Sequence, residues 1–135
     1  MEEEILNSSR VIAMVGLSPR TERPSYQVAS YLKEQGYRIV PVNPTAKKIL
    51  GRVCYSNLSA VPEAVDVVAI FRCSEEVPGI VEEAIEVGAK AVWMQEGVIN
   101  EEAAARAREA GLMVVMDRCM LKEHQKLGAK RETKS

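Results

Sequence analysis

Five short groups of residues carry most of the side chains with chemical capacity, and each follows an apolar run. Residues 16–26, GLSPRTERPSY, bring Gly16, Ser18, Arg20, Arg23 and Ser25. Further along come Asn43, Pro44, Lys47 and Lys48, then Phe71, Arg72 and Cys73, then Gln95, Glu96 and Gly97, then Asp117, Arg118 and Cys119. Cations, hydroxyls, small residues and one aromatic suit a polyanion with an apolar part. Arginine–phosphate hydrogen bonds contribute roughly 1.5 to 3 kcal/mol each, so two or three set micromolar binding without a fully glycine-rich cradle. For any one of these arginines the alternative is an ordinary solvated side chain.

Other chemistries are poorly supplied. One histidine, His124, removes most metal and triad chemistry. Three cysteines, Cys54, Cys73 and Cys119, are odd in number and contain no Cys-x-x-Cys, which suggests neither a disulfide framework nor a zinc site. A formal net charge of -1 lacks the basic excess of a nucleic-acid protein. The start, Met1 to Glu4, is acidic where a signal peptide needs positive charge, and no apolar run reaches the length of a membrane span. A cytoplasmic protein with no nucleic-acid or membrane partner is expected, and no protein partner announces itself.

The elements that must position these groups alternate between strand and helix. With 135 residues, 47% hydrophobic and 27% charged, the chain makes one ordinary core. A short helix is predicted over 2–8, with Ile5 and Leu6 inward. Strands are predicted at 10–15, 37–42, 66–71, 90–94 and 112–116, and residues 45–55 are expected to form a lysine-bearing loop, with a short strand possible at 52–55. The first long helix runs over 24–35, opened by Pro24 and stopped by Gly36. A single helical turn is expected at 62–64. Val77, Ile80, Val81, Ala84 and Ile85 mark a helix closed by Gly88. Asn100 caps the next, which carries Glu101 and Glu102 in its first turn, turns Ala103, Ala107 and Ala110 inward and stops at Gly111.

Helix, glycine, apolar strand recurs at Gly36, Gly88 and Gly111 with irregular spacing, so this is βα alternation and not a solenoid. The expected fold is α/β: a doubly wound, mainly parallel sheet of five or six strands with helices on both faces, in a single domain over residues 1–127. Residues 128–135 are expected to be a charged, frayed tail. Ligands of such sheets bind beyond the C-terminal ends of the strands, where all five groups lie. At the first strand-to-helix turn, backbone N–H groups and the helix N-terminus converge on an anion.

A dinucleotide can be tested against the residues. Nicotinamide cofactors want Gly-x-Gly-x-x-Gly and an acid at the end of strand two. Here Gly16 is followed by Ser18 and Thr21 at the next glycine places, and strand two ends in Pro41, Val42, Asn43 and Pro44. NAD fits badly. NADP, which could use the local cations, is the better nicotinamide alternative.

Five motifs in order carry a resemblance: residues 16–26 (GLSPRTERPSY), 36–44 (GYRIVPVNP), 68–72 (VAIFR), 88–97 (GAKAVWMQEG) and 115–119 (VMDRC). Across residues 9–126 the chain resembles the stand-alone CoA-binding domain proteins, bacterial and archaeal relatives of the N-terminal domain of the succinyl-CoA synthetase alpha subunit. The resemblance implies a Rossmann-like domain whose ligand is coenzyme A or an acyl-CoA. By position, Gly16, Leu17, Ser18 and Pro19, with Arg23 and Ser25, would meet the diphosphate. Asn43, Pro44 and Lys47 resemble the synthetases' Val-Thr-Pro-Gly-Lys segment with one residue inserted, and would face the ribose 3′-phosphate and adenine. The insertion leaves the choice between Lys47 and Lys48 open. Phe71 and Arg72 would flank pantetheine or nucleotide, and Gln95, Glu96 and Gly97 match a Thr-Glu-Gly turn near the reactive end.

The synthetases' phosphorylated histidine lies in a second domain that this chain is too short to contain. His124, outside the matching motifs, is expected to be a surface residue. No catalytic or metal residue is assigned, and the function expected is a CoA-binding or sensing protein. The alternatives are an NADP-linked oxidoreductase-like protein or an acyl-CoA-handling enzyme, with Glu96 and Asp117 as the available bases. Cys73 and Cys119 fall on the expected ligand side, where a mixed disulfide with CoA competes with the reading of both as small inert residues.

Overall fold

In the computed structural model the backbone is described over residues 1–134 and the side chains over residues 1–128. The tail expected at 128–135 lies outside the described residues in its side chains beyond Gly128 and at Ser135. Seven strands and five helices are laid down in chain order: α1 (Glu2–Ser8), β1 (Val11–Val15), α2 (Pro24–Glu34), β2 (Arg38–Val42), β3 (Lys48–Ile49), β4 (Arg52–Val53), β5 (Val67–Ile70), α3 (Val77–Glu86), β6 (Ala91–Met94), α4 (Glu101–Glu109), β7 (Met113–Val115) and α5 (Met120–Lys134). Five strands pair in the order β2-β1-β5-β6-β7, every pairing parallel. This is a doubly wound, Rossmann-like α/β sheet.

Period-two side-chain alternation divides the strands between two cores. Ile12, Met14, Ile39, Val67, Ala69 and Trp93 face one side, where they pack with Ile5 and Leu6 of α1, Val28 and Leu32 of α2, and Met120 and Leu127 of α5. Ala13, Val40, Val68, Ile70, Val92 and Met94 face the other, against α3 and α4. A strand covered on both faces must be apolar throughout, and β5 and β6 are buried at every position. Asn100 caps α4 as its type predicts, accepting a hydrogen bond from Ala103 N at 2.9 Å.

Three features depart from the sequence expectations. The helical turn expected at 62–64 forms instead as a 3-10 turn at Leu58–Ala60, because Asn57 caps it by accepting from Ala60 N. The lysine-bearing segment is a hairpin: β3 and β4 pair antiparallel through Leu50 (φ 54°) and Gly51 (φ 74°), the left-handed pair that a tight hairpin turn requires. Beyond it, Tyr55 bridges the outer side of β2, with Tyr55 N donating to Pro41 O (3.0 Å) and Asn43 N donating to Tyr55 O (2.9 Å).

The third departure is α5. Met120 and Leu127 are buried, and the helix docks on α1 and α2. His124 is therefore not an ordinary surface residue. Its Nδ1 lies 2.8 Å from Tyr31 Oη, and its ring meets Tyr31 and Tyr37 edge-on at 5.4 and 5.7 Å between centroids. Tyr37 Oη donates to Leu6 O at 2.6 Å, tying α1 to the same cluster. Tyr31→Phe keeps the ring and removes the hydroxyl, so stability should fall by about 0.5 to 1.5 kcal/mol, the net worth of one partly buried hydrogen bond. Urea unfolding checks this; an unchanged midpoint would mean that the rings alone hold α5.

Candidate functional site at the C-terminal rim of the sheet

Strand order reverses between β1 and β5, so the crevice of the sheet opens where Gly16 leaves one strand and Phe71 and Arg72 leave the other. The two exits are close. Gly16 has φ +89°, and a Cβ there would lie 2.7 Å from Arg72 Cδ and 2.9 Å from Phe71 O. Only glycine allows this approach. Gly16 N donates to Val42 O (3.0 Å) and Phe71 N to Val15 O (2.9 Å), which carries the ladder into the loops.

The turn after Gly16 is held by its own polar groups. Ser18 N donates to Ser25 Oγ at 3.0 Å, and Arg20 N donates to Ser18 Oγ at 3.1 Å. Asn43 fastens this turn to the next: its Nδ2 donates to Leu17 O at 2.9 Å, while Oδ1 accepts from Thr45 N and Thr45 Oγ1, both at 2.8 Å. Arg23 occupies the N-cap of α2 and no side chain caps that helix. The helix start thus presents N–H groups toward the crevice, beside the exposed Arg20 and Arg23.

Three clefts share walls along the rim. The largest, about 950 Å³, lies between the first two turns and the start of α3, with Gly16, Ser18, Pro19, Asn43, Pro44 and Arg72 among its lining residues. The second, about 370 Å³, shares Gly16, Ser18, Arg20 and Arg72 and adds Arg23, Ser25, Phe71, Gln95 and Glu96. The third, about 300 Å³, shares Phe71, Gln95 and Glu96 and is closed by Val28, Cys119 and Leu121. Sequence-predicted residues from four strand ends therefore line one run of clefts.

Other predicted residues stand elsewhere. Leu17 is fully buried, with its carbonyl held by Asn43. Lys47 and Lys48 are exposed and line none of the three clefts. Gly97 N is held by Asp117 Oδ1 at 2.7 Å. Arg72 gives both arms of its guanidinium to Glu76, at 3.0 and 2.9 Å. Those hydrogen bonds hold the Glu76 carboxyl below the usual carboxylate range. Glu96 pairs with Lys122 at 2.9 Å. Both carboxylates weighed as bases, Glu96 and Asp117, are thus engaged by neighbours. Cys119 lines the third cleft; Cys73 is exposed and lines none of the three.

Several cleft residues carried no sequence signal. Asn57 and Leu58 line the large cleft just after Tyr55, which is hydrogen-bonded to β2. Glu75, Glu76 and Glu83 form an acidic wall there, five to thirteen positions beyond the end of β5 at Ile70. Among the described residues no group of three or more His, Cys, Asp or Glu side chains could hold a metal ion, and no helix is long and apolar enough to cross a membrane.

The family model described as "CoA binding domain" matches residues 10–125. The chain belongs to the CoA-binding domain family. This CoA-binding domain is 43% identical over 122 residues to Uncharacterized protein YneT of Bacillus subtilis, covering 90% of each chain. It is 31% identical over 93 residues to Acetate--CoA ligase [ADP-forming] II of Archaeoglobus fulgidus, covering 67% of this chain and 14% of that ligase. Among solved structures, a hypothetical protein from Pyrococcus horikoshii superposes with a TM-score of 0.90 at 42% identity, covering 94% of this chain and 92% of that one. The family resemblance implied by the five motifs is thereby established, and so is homology to a domain of the ADP-forming ligases.

Proposed function

We propose that this CoA-binding domain holds coenzyme A, or an acyl-CoA, along the run of three clefts, and that it acts as a binding or sensing module without a catalytic group of its own. One observation carries the reading: a cationic turn at an uncapped helix start opens directly into an aromatic and apolar channel. CoA has that polarity along its length, a diphosphate and nucleotide followed by pantetheine.

The diphosphate belongs at the turn, where Gly16, Ser18 and Pro19 shape the wall and Arg23 offers charge beside the start of α2. Ser25 acts there by holding Ser18 N, and Leu17 by anchoring the turn in the core. The large cleft takes the nucleotide, shaped by Asn43 and Pro44, with Glu75 and Glu83 as acceptors for ribose hydroxyls or the adenine amino group. Lys47 follows two residues after the cleft-lining Thr45, with Lys48 next to it, and either can reach the ribose 3′-phosphate from the hairpin. Phe71 flanks pantetheine, and Gln95 and Glu96 stand at its reactive end, with Gly97 shaping that turn. Arg72 contributes as a fixed wall while Glu76 holds it.

Calorimetry with CoA tests the reading, with NADP as the competing probe. CoA should bind in the micromolar range. Arg23→Ala should weaken binding by about 1.5 to 3 kcal/mol, roughly ten- to hundredfold in Kd, while leaving the fold intact. Absence of CoA binding at millimolar ligand overturns the proposal, and an unchanged Kd in the variant removes the turn as its anchor.

A further inference from the structure

Gln95 is the last residue before the turn that follows β6, and only 3% of its surface is exposed. Its Oε1 accepts from Met120 N at 3.2 Å, which fixes the amide's orientation, because a backbone N–H must face the oxygen. The Nε2 atom is left over. Among the described residues it is the buried side-chain nitrogen or oxygen without a hydrogen-bond partner. Buried donors are almost always paired, and an orphan of this kind in a folded protein calls for a specific cause.

The surroundings narrow the cause. Gln95 lines both the second and the third cleft, so it stands where the channel from the cationic turn meets the pocket closed by Val28, Phe71 and Leu121. A ligand that satisfies this arrangement carries an acceptor oxygen at the junction and a small apolar group immediately beyond it. Free CoA ends in a thiol, a weak acceptor with nothing to fill the third cleft. An acyl thioester carries a carbonyl oxygen at that place and an acyl group after it. The third cleft, about 300 Å³, is at the small end of ligand-sized pockets and has room for an acyl group against its apolar wall.

We infer that the preferred ligand is an acyl-CoA and not free CoA, its thioester carbonyl accepting a hydrogen bond from Gln95 Nε2 while the acyl group lies against Val28, Phe71 and Leu121. The inference rests on reading the clefts as a CoA site. It makes Gln95 a specificity residue that separates acyl-CoA from CoA.

Three ligands titrated into the full chain by calorimetry test it: CoA, acetyl-CoA, and S-ethyl-CoA, a thioether with the same carbon count and no carbonyl oxygen. Acetyl-CoA should bind roughly tenfold tighter than S-ethyl-CoA, and Gln95→Met should remove that difference. The amide signals of Gln95 in the unmutated, 15N-labelled protein should move with acetyl-CoA and stay in place with S-ethyl-CoA, a readout independent of whether the variant folds. Equal affinities for all three ligands would overturn the inference while leaving the CoA site standing. A Gln95→Met variant weakened equally toward all three would assign the amide to pantetheine and also overturn it. Failure of every ligand to bind at millimolar concentration would remove the CoA site together with the inference.

Discussion

Gly16→Ala is expected to destabilise the protein by about 2 to 4 kcal/mol, a fall in Tm of roughly 10 °C. Two costs add. The backbone at Gly16 has φ +89°, a region L-residues enter only with strain, and the new methyl would meet Arg72 Cδ at 2.7 Å and Phe71 O at 2.9 Å. Arg72 can swing aside; the Phe71 carbonyl is fastened to β5 and cannot without loosening the Phe71 N to Val15 O bond. The relief of strain therefore has to widen the crevice between β1 and β5, so ligand affinity should fall with stability. Gly79→Ala provides the contrast. That glycine lines the same large cleft, but a Cβ there meets nothing within 4 Å, and alanine is the better helix former in α3. Thermal unfolding followed by circular dichroism should show the first variant well below the unmodified chain and the second level with it or above. A Gly16→Ala protein within about 2 °C of the parent would show that the two strand exits are free to separate.

Asp66→Ala should cost about 2 to 3 kcal/mol at neutral pH, and the cost should shrink in acid. Asp66 Oδ2 accepts from Arg10 N (2.9 Å) and Val11 N (3.0 Å), and Lys90 Nζ stands 3.6 Å from Oδ1. Its main chain is engaged as well: Asp66 N donates to Val11 O, and Asp66 O accepts from Lys90 N and Ala91 N. One residue thus binds the entrances of β1, β5 and β6 at the edge opposite the three clefts. Burial by itself would raise this carboxyl's pKa; the two N–H donors and Lys90 outweigh it and hold the group below the usual carboxylate range.

The sign follows from linkage. Because the folded pKa lies below the unfolded value of about 3.9, the carboxylate's contribution is complete above the unfolded pKa and is lost as pH falls through the folded one. Urea midpoints of parent and Asp66→Ala should draw closer as pH falls from neutral into the acid range below the unfolded carboxyl's pKa. Asp66→Asn, which keeps an acceptor oxygen without the charge, should lie between them at neutral pH. Parallel curves across the whole range would mean that Asp66 acts by shape alone.

The parts legible in the sequence are those where one local pattern dictates one element. Apolar runs of four or five residues named the five sheet strands, Asn100 named its cap, and Ile5 and Leu6 named the inner face of α1. Strand ends are simple to read, so Ser18, Arg23, Phe71 and Gln95 could be collected before any coordinates. The hairpin at 48–53 was harder. Its strands are two residues each, too short for an alternation, and Leu50 adopts a left-handed conformation that its type disfavours. The helix α5 was hidden by composition: Met120, His124 and Leu127 are spaced for one face, but charged neighbours dilute the signal. That loss also hid the role of His124 and one wall of the third cleft, Leu121. The acidic wall of the large cleft was out of reach for another reason, since it is assembled from the 3-10 turn before α3 and from the body of α3 and not from a strand end.

The bridge between Tyr55 and β2 also bears on how the molecule meets copies of itself. A parallel sheet ends in two open borders, and an open border of β2 would invite a strand from another chain. Here Tyr55 already occupies the acceptor at Pro41, and its own carbonyl takes the Asn43 N–H. Pro41 contributes no donor of its own, and since its carbonyl points outward the missing N–H is subtracted from the border and not from the ladder with β1. The C-terminal half of that border is thus closed to pairing. Protection against strand-to-strand aggregation thus comes from the segment that leads directly into the cleft-lining Ser56, Asn57 and Leu58.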